Sequence, residues 1–437
     1  MDRIVRTAVR TGDARGPRPK PWSEVKKILQ KILVPYEYPV VFTRSVFAPR
    51  NDDLLAAMDR LNEGRRHRVS VYVDAGAARS RRGLLRDIGT WFSARRKRLE
   101  LAGPPRIVPG GEAVKSERRL LSLTRDLAAQ KLCRHSFVVI VGGGAVLDAV
   151  GLAASLVHRG LRVVRVPTTA LGQCDSGVGV KTAVNLAGAK NLIGTFAPPF
   201  AVINDEQFLE TLPDREWSGA IAEAFKVAII KSAPFFNELC RSAVRLKARD
   251  LRVLARVVRR CAELHLDHIR TGGDPFELGR ARPLDFGHWA AHKLEMMSGF
   301  RISHGEAVAA GVALDSIYAS LRGWITKPEC GRVLRGLAES GCVLWYPELA
   351  RRDRGGKLEI LRGLEDFREH LGGELCVTYP RGIGRRHEVH EVRATLVAKA
   401  ILRLKRTALS DSWKRGLRAC RAVFVVDRDL RARSNVV

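Results

Sequence analysis

The stretch FVVIVGGGAVLDAV, residues 137–150, decides the fold. It begins with one aromatic and four β-branched residues, continues with three glycines from Gly142 to Gly144, and ends in an apolar helical pattern. This order predicts a buried strand, a tight turn and a helix. Glycines let the backbone approach a pyrophosphate, and the start of a helix offers free N–H groups. Leu147 stands where a dinucleotide fingerprint has its third glycine, so the turn alone is equally compatible with simple packing.

The same alternation of strand and helix extends over residues 22–212. Short runs rich in β-branched residues predict six strands, at Pro39–Thr43, Val69–Val73, Arg106–Val108, Phe137–Val141, Val163–Val166 and Ala201–Ile203. Helical patterns fall at Ser23–Ile32, Asp52–Asn62, Ser116–Leu132 and Val146–His158. Such alternation predicts a Rossmann-like α/β domain with a mostly parallel sheet and helices on both faces.

From Asp214 onward helical periodicity dominates, and strand-like runs are scarce before Leu375–Tyr379. We therefore predict a domain boundary near Pro213 and a mainly α-helical second domain over residues 213–437. The opening residues 1–21 are basic and contain proline and glycine, which predicts a disordered tail. An Arg-rich transit peptide is the alternative interpretation of that tail.

The amino-acid composition argues against several classes of protein function. The chain has 437 residues, 46% of them hydrophobic, and a formal net charge of +30. It lacks a charge-free stretch of about 20 residues, so no membrane span is predicted. The arginines accompany no nucleic-acid-binding motif, which favours a solvated basic surface over a nucleic-acid partner. The eight cysteines form no CxxC pair, and we expect reduced thiols in a cytoplasmic protein.

Polar or glycine-rich turns follow three of the predicted strands. Asp74 comes directly after the strand Val69–Val73, a PGGEAVK turn (109–115) follows Arg106–Val108, and Pro167 with Thr168 and Thr169 follows Val163–Val166. Ligands in doubly wound folds bind outside the carboxyl ends of parallel strands, where a carboxylate can accept ribose hydroxyls. The sequence therefore predicts a nucleotide cofactor at this edge of the sheet.

Longer motifs occur in a fixed order along the chain. They are GGEAVK at 110–115, GGGAVLD at 142–148, VPTT at 166–169, DSGVGVKTAVN at 175–185, AEAFK at 222–226, GHWAAHKLE at 287–295 and HGEAV at 304–308. In order and spacing they resemble the 3-dehydroquinate synthases over about residues 105–315. The resemblance implies a sugar phosphate cyclase, which closes a phosphorylated sugar into a carbocycle with elimination of phosphate.

The resemblance implies a metal site formed by Glu223, His288 and His304. One carboxylate and two imidazoles leave positions open for substrate oxygens, as catalytic zinc requires. We expect Zn²⁺, with Co²⁺ as the alternative. Without the resemblance, His288 and His292 at positions i and i+4 would be read as an ordinary pair on one helix face.

The resemblance also implies NAD as cofactor. The matching cofactor positions are Glu112, Lys115, Gly144, Asp148, Thr168, Thr169, Lys181, Lys190 and Thr211, to which the strand-end pattern adds Asp74 and Gly143. The matching catalytic and substrate-pocket positions are Asp175, Lys181, Asn191, Lys226 and His292. His292 is expected to shuttle protons, because an imidazole titrates near neutral pH.

A family arginine that completes the phosphate pocket of a neighbouring subunit is matched by Arg159. This implies a homodimer, since a guanidinium binds phosphate through paired hydrogen bonds. The alternative interpretation of Arg159 is an ordinary basic residue at a helix C-terminus.

The match departs from the family where the substrate carboxylate is bound. Asp285 replaces an asparagine, Ala281 flanked by Arg280 and Arg282 replaces an arginine, and His265 replaces a lysine. The added negative charge puts a carboxylate-bearing substrate in doubt. We expect His265, Arg282 and Asp285 to contact the substrate. The segment around residues 273–292 resembles a dehydroquinate-synthase-like branch found in bacterial ebo biosynthetic clusters.

Two alternatives stay open. A metal-dependent polyol or glycerol dehydrogenase of the same broad fold would also use NAD and a metal. A non-catalytic scaffold homologue would retain the fold, although the complete Glu223, His288 and His304 set argues against it.

Overall fold

A computed structural model describes residues 29–32, 34–187, 189–272, 276, 283–370, 373–410 and 413. The chain divides into two units, residues 1–37 and residues 38–437. In the first unit, residues 29–32 and 34–37 form neither helix nor strand. The helix predicted for Ser23–Ile32 is therefore wrong for residues 29–32, which are exposed and bury no apolar face that could stabilise a short helix. The rest of that prediction and the predicted tail 1–21 lie outside the described residues.

The strands and helices of the second unit follow the predicted order. The strands are β1 Val40–Thr43, β2 His67–Asp74, β3 Leu99–Leu101, β4 Arg106–Val108, β5 Phe137–Gly142, β6 Arg162–Pro167, β7 Lys181–Leu186, β8 Ala189–Phe196, β9 Ala201–Asp205, β10 Val377–Pro380 and β11 Arg386–Val389. The helices are α1 Asp53–Met58, α2 Ala75–Ser80, α3 Leu84–Ala94, α4 Glu117–Ala129, α5 Gly144–Leu156, α6 Asp214–Lys231, α7 Ala233–Lys247, α8 Leu251–Thr271, α9 His288–Met297, α10 His304–Leu321, α11 Lys327–Glu339, α12 Arg362–His370 and α13 Ala394–Leu409.

Within the described residues, seven parallel strands form one sheet in the order β1, β9, β6, β5, β2, with β3 and β4 both on the outer side of β2. The registers align the carboxyl ends of the central strands: Gly142 pairs with Pro167, Val141 with Val73, and Asp74 with Val108. All six predicted strands are present, and the predicted fold class is confirmed. Because the carboxyl ends of these strands are aligned, the polar turns that follow them meet at one edge of the sheet.

Burial on both faces explains the apolar run of β5. Val139 and Val141 pack with α1 and α3 on one face, whereas Val138 and Ile140 pack with α4 and α5 on the other. A parallel strand covered on both faces has no solvent side, so its sequence does not alternate. The antiparallel hairpin of β7 and β8 lies outside this sheet.

The C-terminal domain is helical, as predicted, with α6 and α10 at its centre. Gly219 on α6 and Gly305 on α10 touch through their backbones, and a Cβ on Gly305 would overlap Gly219. This contact brings the start of α10 against the middle of α6. Pro213 directly precedes α6, and the domain boundary near it stays a prediction. None of the helices in the described part of the chain is long and apolar enough to cross a bilayer.

Candidate active site

Three side chains from three different helices meet where α6 and α10 touch. Glu223 lies in α6, and His288 and His304 are the first residues of α9 and α10. Glu223 Oε1 is 3.7 Å from His288 Nε2 and 3.3 Å from His304 Nε2. The structure therefore brings together the three metal ligands that the resemblance implied, although 65 residues separate the first from the second along the chain.

Each of the two imidazoles is oriented by an oxygen atom that lies close to its Nδ1 atom. His288 Nδ1 lies 3.2 Å from the Phe286 carbonyl oxygen, and His304 Nδ1 lies 3.1 Å from Glu295 Oε2. These contacts leave the two Nε2 atoms facing Glu223, which is how metal-binding histidines are usually held. The ring nitrogens of His288, His292 and His304 also lie within 4.8 Å of one another. His292 thus lies beside the candidate ligands, but burial and the neighbouring His288 and His304 lower its pKa to about 3, which does not fit the predicted proton carrier.

The charge state of Glu223 fits a metal ligand. Its side chain is only 1% exposed, and neither carboxylate oxygen accepts a hydrogen bond of normal geometry among the described residues. Lys226 Nζ lies 2.6 Å away as an ion-pair partner. Burial opposes ionisation, but Lys226 and the two imidazoles outweigh it and hold the pKa of Glu223 well below its usual range. A buried, ionised and incompletely bonded carboxylate beside imidazoles suits Zn²⁺.

The two imidazoles differ in protonation. Burial and nearby Lys226 lower the pKa of His288 to about 4. Burial would also lower the pKa of His304, but Glu223 and Glu295 raise it to about 10. At neutral pH His288 is therefore neutral, whereas His304 is protonated and would have to release its proton to bind a metal ion.

Glu295 was not among the predicted site residues. Its Oε2 faces His304, and its Oε1 accepts a hydrogen bond from Lys190 Nζ at 2.9 Å. The spacing of His288, His292 and Glu295 at i, i+4 and i+7 places all three on one face of α9, and this spacing is the signal that could have found Glu295.

The predicted substrate-pocket residues form a second cluster beside Glu223. Asp175 Oδ2 lies 3.8 Å from Lys226 Nζ, and Asp175 Oδ1 lies 3.3 Å from His265 Nδ1. Burial would lower the pKa of Lys226, but Glu223, Asp175 and Asp285 raise it. Lys226 is therefore a cation among acidic groups, and Asp285 lies close enough to act on it. Arg282 lies outside the described residues.

A buried arginine that the sequence did not single out holds the loop after Asp175. The guanidinium of Arg165, in β6, donates to the carbonyl oxygens of Gly179 at 2.7 Å and Lys181 at 3.2 Å. Tyr38 donates from its hydroxyl to the Val178 carbonyl oxygen at 2.9 Å. These bonds fix the path of the loop that leads from Asp175 to Lys181, an exposed residue that begins β7.

The polar turns meet at the carboxyl edge of the sheet, as predicted. A Cβ on Gly110 would lie 2.5 Å from Asp74 Oδ1, and a Cβ on Gly143 would lie 3.1 Å from Thr169 Cγ2. A Cβ on Gly144, the first residue of α5, would lie 2.6 Å from Ser176 Oγ. A β-carbon would therefore be too close to a neighbouring side chain at these three glycines, and Gly143 and Gly144 are partly exposed, so the backbone at the start of α5 could be approached by a ligand such as a dinucleotide.

The remaining predicted cofactor residues surround this edge. Lys115 Nζ donates to Asp148 Oδ2 at 2.7 Å and also to Asn191 Oδ1. Burial raises the pKa of Asp148 against the opposing effect of Lys115. Thr168 is buried, its backbone N–H donating to the Gly142 carbonyl oxygen at 3.0 Å. Glu112 accepts from Asn185 at 2.8 Å, while Thr211, exposed, ends a 3₁₀ turn at Glu206–Thr211.

Arg159 lies away from the site of its own chain. It follows the end of α5, whose 13 residues span about 20 Å from the glycine edge. Arg159 is exposed, and both it and His158 have positive φ angles, 63° and 52°. Its guanidinium therefore cannot complete the site that its own chain forms.

Two family models match adjoining parts of the chain, 3-dehydroquinate synthase N-terminal over residues 106–219 and 3-dehydroquinate synthase C-terminal over residues 220–355. A 3-dehydroquinate synthase from Shewanella sp. (strain MR-4) is 33% identical over 296 residues, which make up 68% of this chain and 80% of that protein.

Solved structures of related enzymes share the fold. ValA (2-epi-5-epi-valiolone synthase) from Streptomyces hygroscopicus subsp. jinggangensis 5008, with NAD⁺ and Zn²⁺ bound, is 28% identical with a TM-score of 0.75, over 87% of this chain and 99% of that chain. A 2-deoxy-scyllo-inosose synthase is 22% identical with a TM-score of 0.67, over 83% of this chain and 95% of that chain. Fold and sequence thus define an enzyme of the sugar phosphate cyclase class. The chain belongs to the 3-dehydroquinate synthase family.

Proposed function

We propose that this enzyme uses NAD and a divalent metal, Zn²⁺ in preference to Co²⁺, to convert a phosphorylated sugar into a carbocycle with loss of phosphate. One observation carries the proposal. Lys190 Nζ lies 2.9 Å from Glu295, which orients His304, and 4.0 Å from Glu112 at the cofactor edge. A single side chain therefore joins the candidate metal ligands to the glycine-rich edge, so that both could act on one substrate.

The bound groups would supply polarisation of a sugar hydroxyl by the metal and its reversible oxidation by NAD. Glu223, His288 and His304 would hold the metal, while the glycine edge and Lys115 would hold the dinucleotide. The charged cluster of Asp175 and Lys226 would bind and orient substrate hydroxyls. His292 is neutral at neutral pH, because burial and the neighbouring His288 and His304 lower its pKa to about 3, and it would accept a hydrogen bond from a substrate hydroxyl beside these residues.

The charges of the pocket favour a substrate without a carboxylate. Lys226 is already paired with Glu223 and Asp175, and His265 is paired with Asp175. Asp285 adds a further negative charge near Lys226. Because like charges repel at close range, a polyol end such as that of a ketose phosphate would bind better than a sugar acid. ValA, which matches 87% of this chain, is named for a cyclitol product rather than a quinate. Membership of the ebo-cluster branch stays a prediction.

We propose that the enzyme acts as a homodimer in which Arg159 completes the phosphate pocket of the neighbouring subunit. Support comes from the exposed position of Arg159 at the far end of α5. Two adjacent non-glycine residues with positive φ are costly, and such strain is most often retained where it positions a functional group.

Incubation with NAD⁺, Zn²⁺ and a panel of heptulose and hexose phosphates tests the proposal. We expect inorganic phosphate and a cyclised product by mass spectrometry, without net NADH. Steady NADH accumulation without phosphate release would instead identify a polyol dehydrogenase. Purified protein that binds no metal would favour a scaffold. Glu223→Ala should abolish metal binding and turnover while the fold is retained, and an unchanged turnover would contradict the metal assignment.

A further inference from the structure

A carboxyl group is buried in the helical core, and no cationic side chain among the described residues forms an ion pair with it. Asp315, in α10, is 0% exposed, and both its oxygens lie 3.1 Å from the indole Nε1 of Trp289. The Tyr379 hydroxyl lies 3.4 Å from Asp315 Oδ1, and the backbone N–H of Gly287 is directed at the same carboxylate. These three donors are uncharged, so none of them balances a negative charge on this carboxyl group.

Burying such a group opposes folding. Burial raises the pKa of Asp315 to about 8, even though all three donors act in the opposite direction. If packing were the only requirement, an apolar residue of similar volume would usually fill the same space at a lower cost in folding free energy. The chemical property that Asp315 adds is therefore an acceptor for donors on another helix.

Two of these three donors belong to residues that flank His288 in the chain. Gly287 and Trp289 are its neighbours in the chain, and Gly287 has a φ of 79° and packs so tightly that a Cβ would lie 2.8 Å from the Val312 nitrogen. The His288 ring is oriented by the Phe286 carbonyl at 3.2 Å. The position of this ring therefore depends on a short backbone segment that Asp315 holds against α10.

The same helix carries the second imidazole. His304 is the first residue of α10, and Asp315 lies 11 residues later, about 16 Å along the axis. We propose that Asp315 is a positioning residue for the candidate metal centre, which fixes His288 relative to His304 by tying the first turn of α9 to α10. This inference rests on the proposed metal-binding function.

Two measurements on the full chain test the inference. They are zinc affinity by chelator competition and the visible absorption spectrum of the Co²⁺-substituted enzyme. Asp315→Leu keeps the volume and removes the acceptor, whereas Asp315→Asn keeps one acceptor oxygen. We expect Asp315→Leu to weaken zinc binding about 10–100-fold and to shift the Co²⁺ bands, as loss of a group that orients a ligand does. Asp315→Asn should stay within a few-fold of the wild type.

A matched control separates positioning from general stability. Leu337, in α11, is 0% exposed, and Leu337→Ala should lower the Tm without changing zinc affinity or the Co²⁺ spectrum. Unchanged zinc binding and spectrum in Asp315→Leu, or an equal loss of affinity in Leu337→Ala, would overturn the inference. If Asp315→Leu does not fold, Trp289→Phe replaces it, and unchanged affinity and spectrum in that variant would overturn the inference equally. A wild-type enzyme that binds no zinc would instead refute the proposed function.

Discussion

Glu295 Oε2 lies 3.1 Å from His304 Nδ1, so a carboxylate on α9 orients the imidazole that begins α10. The other oxygen of Glu295 accepts from Lys190, a residue predicted to contact the cofactor. The candidate metal ligands and a residue predicted to contact the cofactor are therefore linked through one buried carboxylate.

The first prediction concerns this carboxylate. Glu295→Ala should weaken zinc binding by about 10–100-fold, because His304 loses the group that fixes its ring and raises its basicity. Glu295→Gln should have a smaller effect, since an amide oxygen can still accept from His304. Chelator competition measures both. Glu117→Gln, at an exposed position in the first turn of α4, is the control and should bind zinc like the wild type. Equal affinities in all three variants would contradict the role assigned to Glu295.

The second prediction tests the shared site. Arg159→Ala should lower kcat/KM at least about 30-fold, because a charged contact to the substrate phosphate is lost. Glu223→Gln should also be inactive. In a mixed dimer, the Arg159→Ala chain would contribute its intact Glu223 and receive Arg159 of the partner subunit, which restores one of the two sites.

An equal mixture of the two inactive variants, refolded or co-expressed, should therefore recover roughly a quarter of the wild-type activity per chain. The control is a mixture of Arg159→Ala with an Arg159→Ala, Glu223→Gln double variant, which should recover none. A mixture no more active than its components would show that Arg159 does not act across subunits.

The third prediction concerns pH and Asp315, whose folded-state pKa is about 8. An unfolded Asp titrates near pH 3.9. Between these values the folded state binds more protons, so the free energy of unfolding falls as the pH rises, by up to about 1.4 kcal/mol per pH unit. Asp315→Asn lacks this titration. The Tm of the variant minus that of the wild type should therefore increase from pH 5 to pH 8, and a difference that stays constant or decreases would contradict the prediction.

The fourth prediction tests the glycine edge. Gly144 begins α5 at the edge proposed to bind the cofactor, and a Cβ on it would lie 2.6 Å from Ser176 Oγ. Gly144→Ala should weaken NAD binding at least about tenfold, or 1.4 kcal/mol, as measured by calorimetry. Gly89→Ala, in α3, is the matched control, because a Cβ there has nothing within 4 Å. Tight NAD binding by Gly144→Ala would argue against this edge as the cofactor site.

The strands of the parallel sheet could be predicted because their residue pattern involves only positions that are close together in the chain. Six strands of the parallel sheet follow from runs of β-branched residues, and the run before Gly142 is apolar throughout because β5 is buried on both faces. Two features were not predicted: strand β3, and the β7–β8 hairpin, whose strand β8 is mostly exposed and shows no alternation of buried and exposed residues. Their pairing partners, rather than their own composition, make them strands.

The sequence by itself determined the α/β class, the glycine turn and, through its motifs, the candidate ligands Glu223, His288 and His304. The class and the turn depend on residue types at short spacing, whereas the candidate ligands follow from the resemblance of the ordered motifs to a family. Only the tertiary structure decided that Glu295 bridges His304 and Lys190, and that Asp315 holds the turn containing His288. These contacts join separate helices, and carboxylates buried by such packing form bonds that no local pattern encodes.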